Sequence, residues 1–135
     1  MVAESEIILR LVLAAIAGGI IGYERKTVNK PAGIRTNMLV STGAALFTLI
    51  SLTAFGNTDP TRIAAGIVTG IGFLGAGTIF RAKDQVRGLT TAASLWAVAA
   101  IGLSIAVGLY LLSAVAVVLI LIILQLNKIS FLREL

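Results

Sequence analysis

Cysteine and histidine are both absent from the 135 residues. Without cysteine there is no disulfide, no thiolate nucleophile and no Cys-based metal site. Without histidine the commonest general base, the commonest metal ligand and the usual near-neutral pH sensor are gone. Charge is scarce as well. Asp, Glu, Lys and Arg make up 13% of the chain and aromatics 6%, against 58% hydrophobic residues. A soluble domain usually carries about a quarter charged residues, and one of this length has too little interior to hide so much apolar surface. With few aromatics there are few platforms on which bases could stack, so nucleic acid is not an expected partner despite a net charge of +5. No catalytic residue is assigned, and the chain is not expected to be an enzyme.

What is present is a series of long apolar runs. Five emerge, at residues 7–23, 37–55, 63–80, 90–104 and 108–126. A run of roughly 18 residues at about 1.5 Å per residue crosses most of a hydrocarbon core of about 30 Å. The last two runs are joined without a charge. As one helix they would be about 55 Å long, so a break is required, with Gly102, Ser104 and Gly108 as the cheapest places. The expected fold is therefore an all-α membrane bundle of about five transmembrane helices forming a single domain. Leu135 follows about nine residues past the last run, and no C-terminal soluble domain is expected within these residues. The N-terminal Met1–Glu6 has two glutamates and no basic residue, unlike the positive start of a cleaved signal peptide. The first run is read as a retained span.

Basic residues test that count independently. Arg25, Lys26, Lys30 and Arg35 fall in the first loop, Arg81, Lys83 and Arg87 in the third, Lys128 and Arg133 in the tail. Only Arg10 and Arg62 fall on the other side. Lysine and arginine collect in short cytoplasmic loops, which places the N-terminus outside and the C-terminus in the cytoplasm. The basic face would meet anionic lipid headgroups.

Most of the 14 glycines lie inside the spans. Gly18 and Gly22, extended upstream by Ala14, form one small-residue stripe; Gly66 and Gly70 form another. Such spacing lets helix backbones approach closely where no water drives association. It serves packing within the chain or contact with a second copy, and a homo-oligomer is expected. Gly70-Ile-Gly-Phe-Leu-Gly75 fits a dinucleotide fingerprint to the letter. That motif needs a strand before it and an acidic residue about 20 positions on, whereas here it sits in a lipid-length apolar run with Gly77 following. Gly70, Gly72, Gly75 and Gly77 instead mark a helix of little bulk, or one locally unwound to line a cavity.

No ionisable side chain is expected at the centre of a span, so candidate chemistry lies at the rims. Glu24, Arg25, Arg35 and Arg87 gather at the cytoplasmic rim, where Glu24 is expected to pair with Arg35 or Arg87. Asp59 and Arg62 stand at the outer rim; Asp59 suits a helix N-cap and Pro60 the first helical position. Arg87-Gly-Leu-Thr-Thr-Ala92 joins an arginine to a helix start bearing Thr90 and Thr91, a ready anion site. Mg²⁺ prefers oxygen ligands and often uses one or two carboxylates, for which Asp59 and Glu24 are the candidates.

In order along the chain, Gly22-Tyr-Glu-Arg25, Lys30-Pro-Ala-Gly-Ile-Arg-Thr36, Asp59-Pro-Thr-Arg62, Gly70-Ile-Gly-Phe-Leu-Gly-Ala-Gly77 and Arg87-Gly-Leu-Thr-Thr-Ala92 with Trp96 resemble the membrane domain of the MgtC/SapB family. The resemblance implies a multi-pass inner-membrane protein linked to magnesium homeostasis, with Mg²⁺ as the one cofactor or cargo it suggests. Family members have been proposed both as ion-transport components and as regulators acting on other membrane complexes, ATP synthase among them; for this chain transport of Mg²⁺ or another ion is the first expectation and a non-transporting regulator the alternative. Many relatives carry a soluble domain after the last span, and many have histidine where Asn37 stands here.

Overall fold

The computed structural model describes residues 3–55 and 59–126. Five helices follow one another up and down: α1 (Glu4–Thr27), α2 (Ile34–Thr53), α3 (Thr61–Ala76), α4 (Leu89–Ala106) and α5 (Tyr110–Gln125). Between α3 and α4 lies an antiparallel hairpin of β1 (Phe80–Ala82) and β2 (Gln85–Arg87), in register Phe80 with Arg87 and Ala82 with Gln85. The α1 C-terminus, α2 N-terminus, hairpin, α4 N-terminus and α5 C-terminus share one end of the bundle, here termed the basic end.

Helices α1, α2 and α4 are long and apolar enough to cross a membrane; α3 and α5 are apolar but have 16 residues each, about 24 Å. α1 outruns the expected 7–23 at both ends. Glu4 and Glu6 in its first turn and Arg25 and Lys26 in its last oppose the helix dipole favourably. The third helix ends sooner than residue 80. The N–H groups of Gly77, Thr78 and Ile79 bond back to Phe73, Gly75 and Ala76, and the chain turns into the hairpin about Lys83 (φ 53°). A short strand of alternating residues was hidden in what reads as loop and span end. The break between the last two helices falls at Gly108 (φ 86°), a left-handed conformation that glycine adopts without a side-chain clash. Gly102 and Ser104 remain helical.

The core lies at the α1–α2–α4 junction and mixes alanines with branched aliphatics: Ala14, Ala17 and Ile21 meet Ala45 and Leu49 and then Val98, Ile101 and Ile105. Many other large apolar residues point outward. Leu111, Leu112, Val115, Val118, Leu119 and Ile122 of α5 are all about half exposed or more. So many outward leucines suit a lipid solvent, which needs no apolar interior to drive association. α4 and α5 are further joined by a Ser104–Ser113 hydroxyl bond of 2.7 Å.

Candidate functional site

Two places gather the residues singled out above. At the basic end, α1 delivers Arg25, the turn after it Lys30, β2 Arg87, and the start of α4 Thr90 and Thr91, around a cavity of about 1000 Å³. Apolar walls come from Phe80, Val86, Leu89 and Leu124. Arg25 and Glu24 are neighbours in sequence, yet both are buried, with side chains 4% and 8% exposed. Nε and Nη2 of Arg25 both donate to Glu24 Oε2 at 2.6 Å. The expected pairing of Glu24 with Arg35 or Arg87 is therefore replaced by a pair within α1. Arg35, on the first turn of α2, is exposed. Thr91 is buried and Thr90 exposed.

Gly88 links the hairpin to α4 with φ 90°. A Cβ there would also collide with the Thr78 carbonyl, 2.8 Å from its carbon, so the residue closes the neck of the hairpin. This fixed turn sets Arg87 beside the α4 N-terminus.

The second place is a groove of about 540 Å³ between α2 and α3. Gly66 and Gly70 line its floor with Gly43, Phe47 and Leu39 beside them and Arg62 at its far end. A Cβ at Gly66, Gly70 or Gly72 would meet nothing within 4 Å. The other stripe is filled: at Gly22 a Cβ would lie 2.6 Å from Ile34 Cα, and at Gly18 it would lie 2.9 Å from the Asn37 carbonyl carbon. Gly75 approaches Ala92 at an ordinary 3.5 Å, and Gly77 follows as the C-cap of α3. The GxGxxG segment is thus helical through Gly75 and continuous with Ala76, and no strand precedes it among the described residues.

Asp59 stands beside the start of α3. Its carboxylate accepts the Thr61 N–H at 2.9 Å and the Thr61 hydroxyl at 2.7 Å. These bonds, with Arg62 nearby, hold its carboxyl below the usual range. Pro60 is the N-cap and Thr61 the first helical residue, one position later than the spacing suggested. Asp59 and Glu24 lie at opposite ends of the bundle, at the α3 start and the α1 end respectively. Among the described residues no three acidic groups converge on a point that could hold a metal.

One polar centre escaped the sequence reading. Arg10, buried in α1, donates to the Ala106 carbonyl at 2.6 Å and to the Tyr110 hydroxyl at 3.1 Å, and forms an ion pair with Glu6. It ties α1 to the turn between α4 and α5. The Glu6–Arg10 spacing of four was a visible hint; the partners about a hundred residues away were not. Arg10→Ala is expected to cost about 1.5–3 kcal/mol, the range for hydrogen bonds to charged groups, read as a lower melting temperature in detergent. Arg10→Lys should not restore it, since one ammonium lacks the planar fork that reaches three acceptors.

Asn37 shows a different kind of burial. Its amide donates to the carbonyls of Ala32 and Gly33, fastening the turn before α2. Asn37 Oδ1, Ser41 Oγ and Glu24 Oε1 are buried without a hydrogen-bond partner among the described residues.

Comparison with known proteins supplies a family. YhiD of Escherichia coli K12, whose name describes a proposed magnesium transporter, is 46% identical over 129 residues, covering 90% of this chain and 60% of YhiD. MgtC of Brucella abortus is 52% identical over 105 residues, covering 78% of this chain and 44% of that protein. MgtC of Salmonella typhimurium LT2 is 50% identical over 114 residues, covering 84% and 49%. The chain thus spans roughly half the length of the curated relatives it matches. No solved structure matches it at a significant level. The sequence profile of the MgtC family matches residues 11–130, and the chain belongs to that family.

Proposed function

We propose that this chain acts in magnesium homeostasis as an inner-membrane regulator, engaging a transmembrane helix of another membrane complex such as ATP synthase along the α2–α3 groove. In this reading all five helices lie within the bilayer, the basic end faces the cytoplasm, and the chemistry is binding and not catalysis. The observation that carries it is the unfilled glycine face of Gly66 and Gly70, in a molecule whose other glycine stripe is filled by its own α2. Small residues on an open helix face let a second backbone approach.

Transport of Mg²⁺ is the second reading, favoured by the name of YhiD. Two measurements separate them. Purified protein in liposomes is expected to move no Mg²⁺ down a gradient; flux above protein-free vesicles would overturn the regulator reading for the transporter. In cells limited for magnesium, Gly66→Leu should abolish function while leaving the melting temperature of the purified chain no lower than the parent's, because a Cβ at that position would meet nothing within 4 Å and the rest of the side chain enters the groove. Function retained by Gly66→Leu would remove the groove as the contact. The chain has no cysteine, so a Gly70→Cys variant reports its neighbour by crosslinking. A product with a second copy of the chain alone would replace the hetero-complex with a homo-oligomer.

A further inference from the structure

The cavity at the basic end has a composition that the groove reading does not use. Three cationic side chains from three separate segments line it, Arg25 from α1, Lys30 from the α1–α2 turn and Arg87 from β2; among the described residues no carboxylate lines it, and Glu24 reaches it only through its pair with Arg25. Neither Lys30 nor Arg87 forms an ion pair among the described residues. Arg25 is nearly fully buried, and its bonds to Glu24 Oε2 fix the plane of its guanidinium. The cavity also receives the start of α4, an 18-residue helix with no side-chain cap, whose first intrahelical bond runs from the Ala92 N–H to the Gly88 carbonyl. The N–H groups before Ala92 therefore precede the helix's own bonding, and the positive end of its dipole adds to the cations.

We propose that this cavity binds a phosphate-bearing anion, with Lys30 and Arg87 supplying charge, Arg25 a preset donor plane, and Thr90 and Thr91 the helix-start donors. A single carboxylate would be a poor match for donors arriving from four directions. A tetrahedral phosphate presents acceptors to all of them, and arginine with a helix N-terminus is a recurrent phosphate pairing. The apolar walls of Phe80, Val86, Leu89 and Leu124 leave room for more than the anion itself. A phospholipid headgroup and a soluble phosphate share this chemistry.

Native mass spectrometry of the purified chain, after nanodisc reconstitution in phosphatidylglycerol or in phosphatidylcholine, tests the lipid source. Titration with inorganic phosphate against chloride at equal ionic strength, read as a thermal shift, tests the soluble one. The expected result is retention of phosphatidylglycerol over phosphatidylcholine, or stabilisation by phosphate over chloride. Either should weaken about tenfold or more in Lys30→Gln/Arg87→Gln, corresponding to about 1.4 kcal/mol. Both side chains are exposed, so the helical circular dichroism of that variant should match the parent. Phosphatidylglycerol alone assigns a lipid headgroup, phosphate alone a soluble ligand. Preference for neither, or unchanged binding in the double variant, overturns the proposal. Arg87→Gln and Lys30→Gln singly provide the same reading should the double variant lose helicity.

Discussion

Gly102→Ala is expected to be among the most damaging single-methyl additions to this chain. A Cβ at Gly102 would collide with the Ser41 carbonyl oxygen and lie 2.8 and 3.0 Å from the Ser41 carbonyl carbon and Cα. The obstacle is backbone on both helices, so no side chain can swing aside. Separating α2 from α4 would also loosen the buried contacts of Leu49, Val98 and Ile101 that meet around it. Overpacking of a close-packed interior costs about 1–3 kcal/mol and occasionally more, and this site belongs at or above the top of that range. Gly70→Ala supplies the matched control. Its Cβ would enter open space, and replacing an exposed helical glycine with alanine gains roughly 0.5–1 kcal/mol. The same chemical change should therefore lower the melting temperature at Gly102 and hold or raise it at Gly70. Thermal unfolding in one detergent, followed by circular dichroism, reads both. A Gly102→Ala protein as stable as the parent would mean that α2 and α4 do not cross at Ser41.

The contrast between those glycines marks how far sequence can be read in this molecule. Apolar length located all five helices, because a helix in lipid must be apolar over most of its length. The glycine spacing located faces where backbones come close. It could not say which face is filled: Gly18–Gly22 and Gly66–Gly70 share a spacing, yet a Cβ on the first would strike α2 and a Cβ on the second would meet nothing within 4 Å among the described residues. That difference depends on how α3 is placed against the bundle, and α3 buries only Gly75. The hairpin was missed because Phe80–Arg87 is short and mostly polar, and its register is set by the turn at Lys83 and the neck at Gly88. Of the candidate residues, Arg25, Arg87, Thr90 and Thr91 come together at one cavity, while Asp59 and Glu24 are separated by the length of the bundle. Glu24 could not be assigned a partner from the rim list, since the nearest cation was its own neighbour in the chain. Arg10 was legible as a charge within an apolar run and illegible as a clasp, because Ala106 and Tyr110 reach it only through the folding of three helices.

Removing Arg25 alone should unfold the basic end, whereas removing Arg25 and Glu24 together should not. In the folded chain the two nearly buried side chains neutralise each other, with the Arg25 Nε and Nη2 both on Glu24 Oε2. Glu24 Oε1 has no hydrogen-bond partner among the described residues, so Arg25 is the group that makes burial of this carboxylate tolerable. In Arg25→Ala the carboxylate stays buried without a counter-charge. Breaking a buried pair in this way costs about 3–5 kcal/mol, whereas replacing both partners with apolar groups of similar size is often neutral or stabilising. Arg25→Met/Glu24→Leu is therefore expected to recover most of the stability lost in Arg25→Ala, and Glu24→Gln in the Arg25→Ala background should recover part of it. A double-mutant cycle on melting temperature measures the coupling directly. Equal damage in the single and the double variant would show that the pair matters only through packing. The same double variant bears on the cavity, because it removes the preset guanidinium while keeping Lys30 and Arg87. It should fold and yet hold a phosphate-bearing anion less tightly than the parent, which separates what Arg25 does for the bundle from what it does for the cavity it lines.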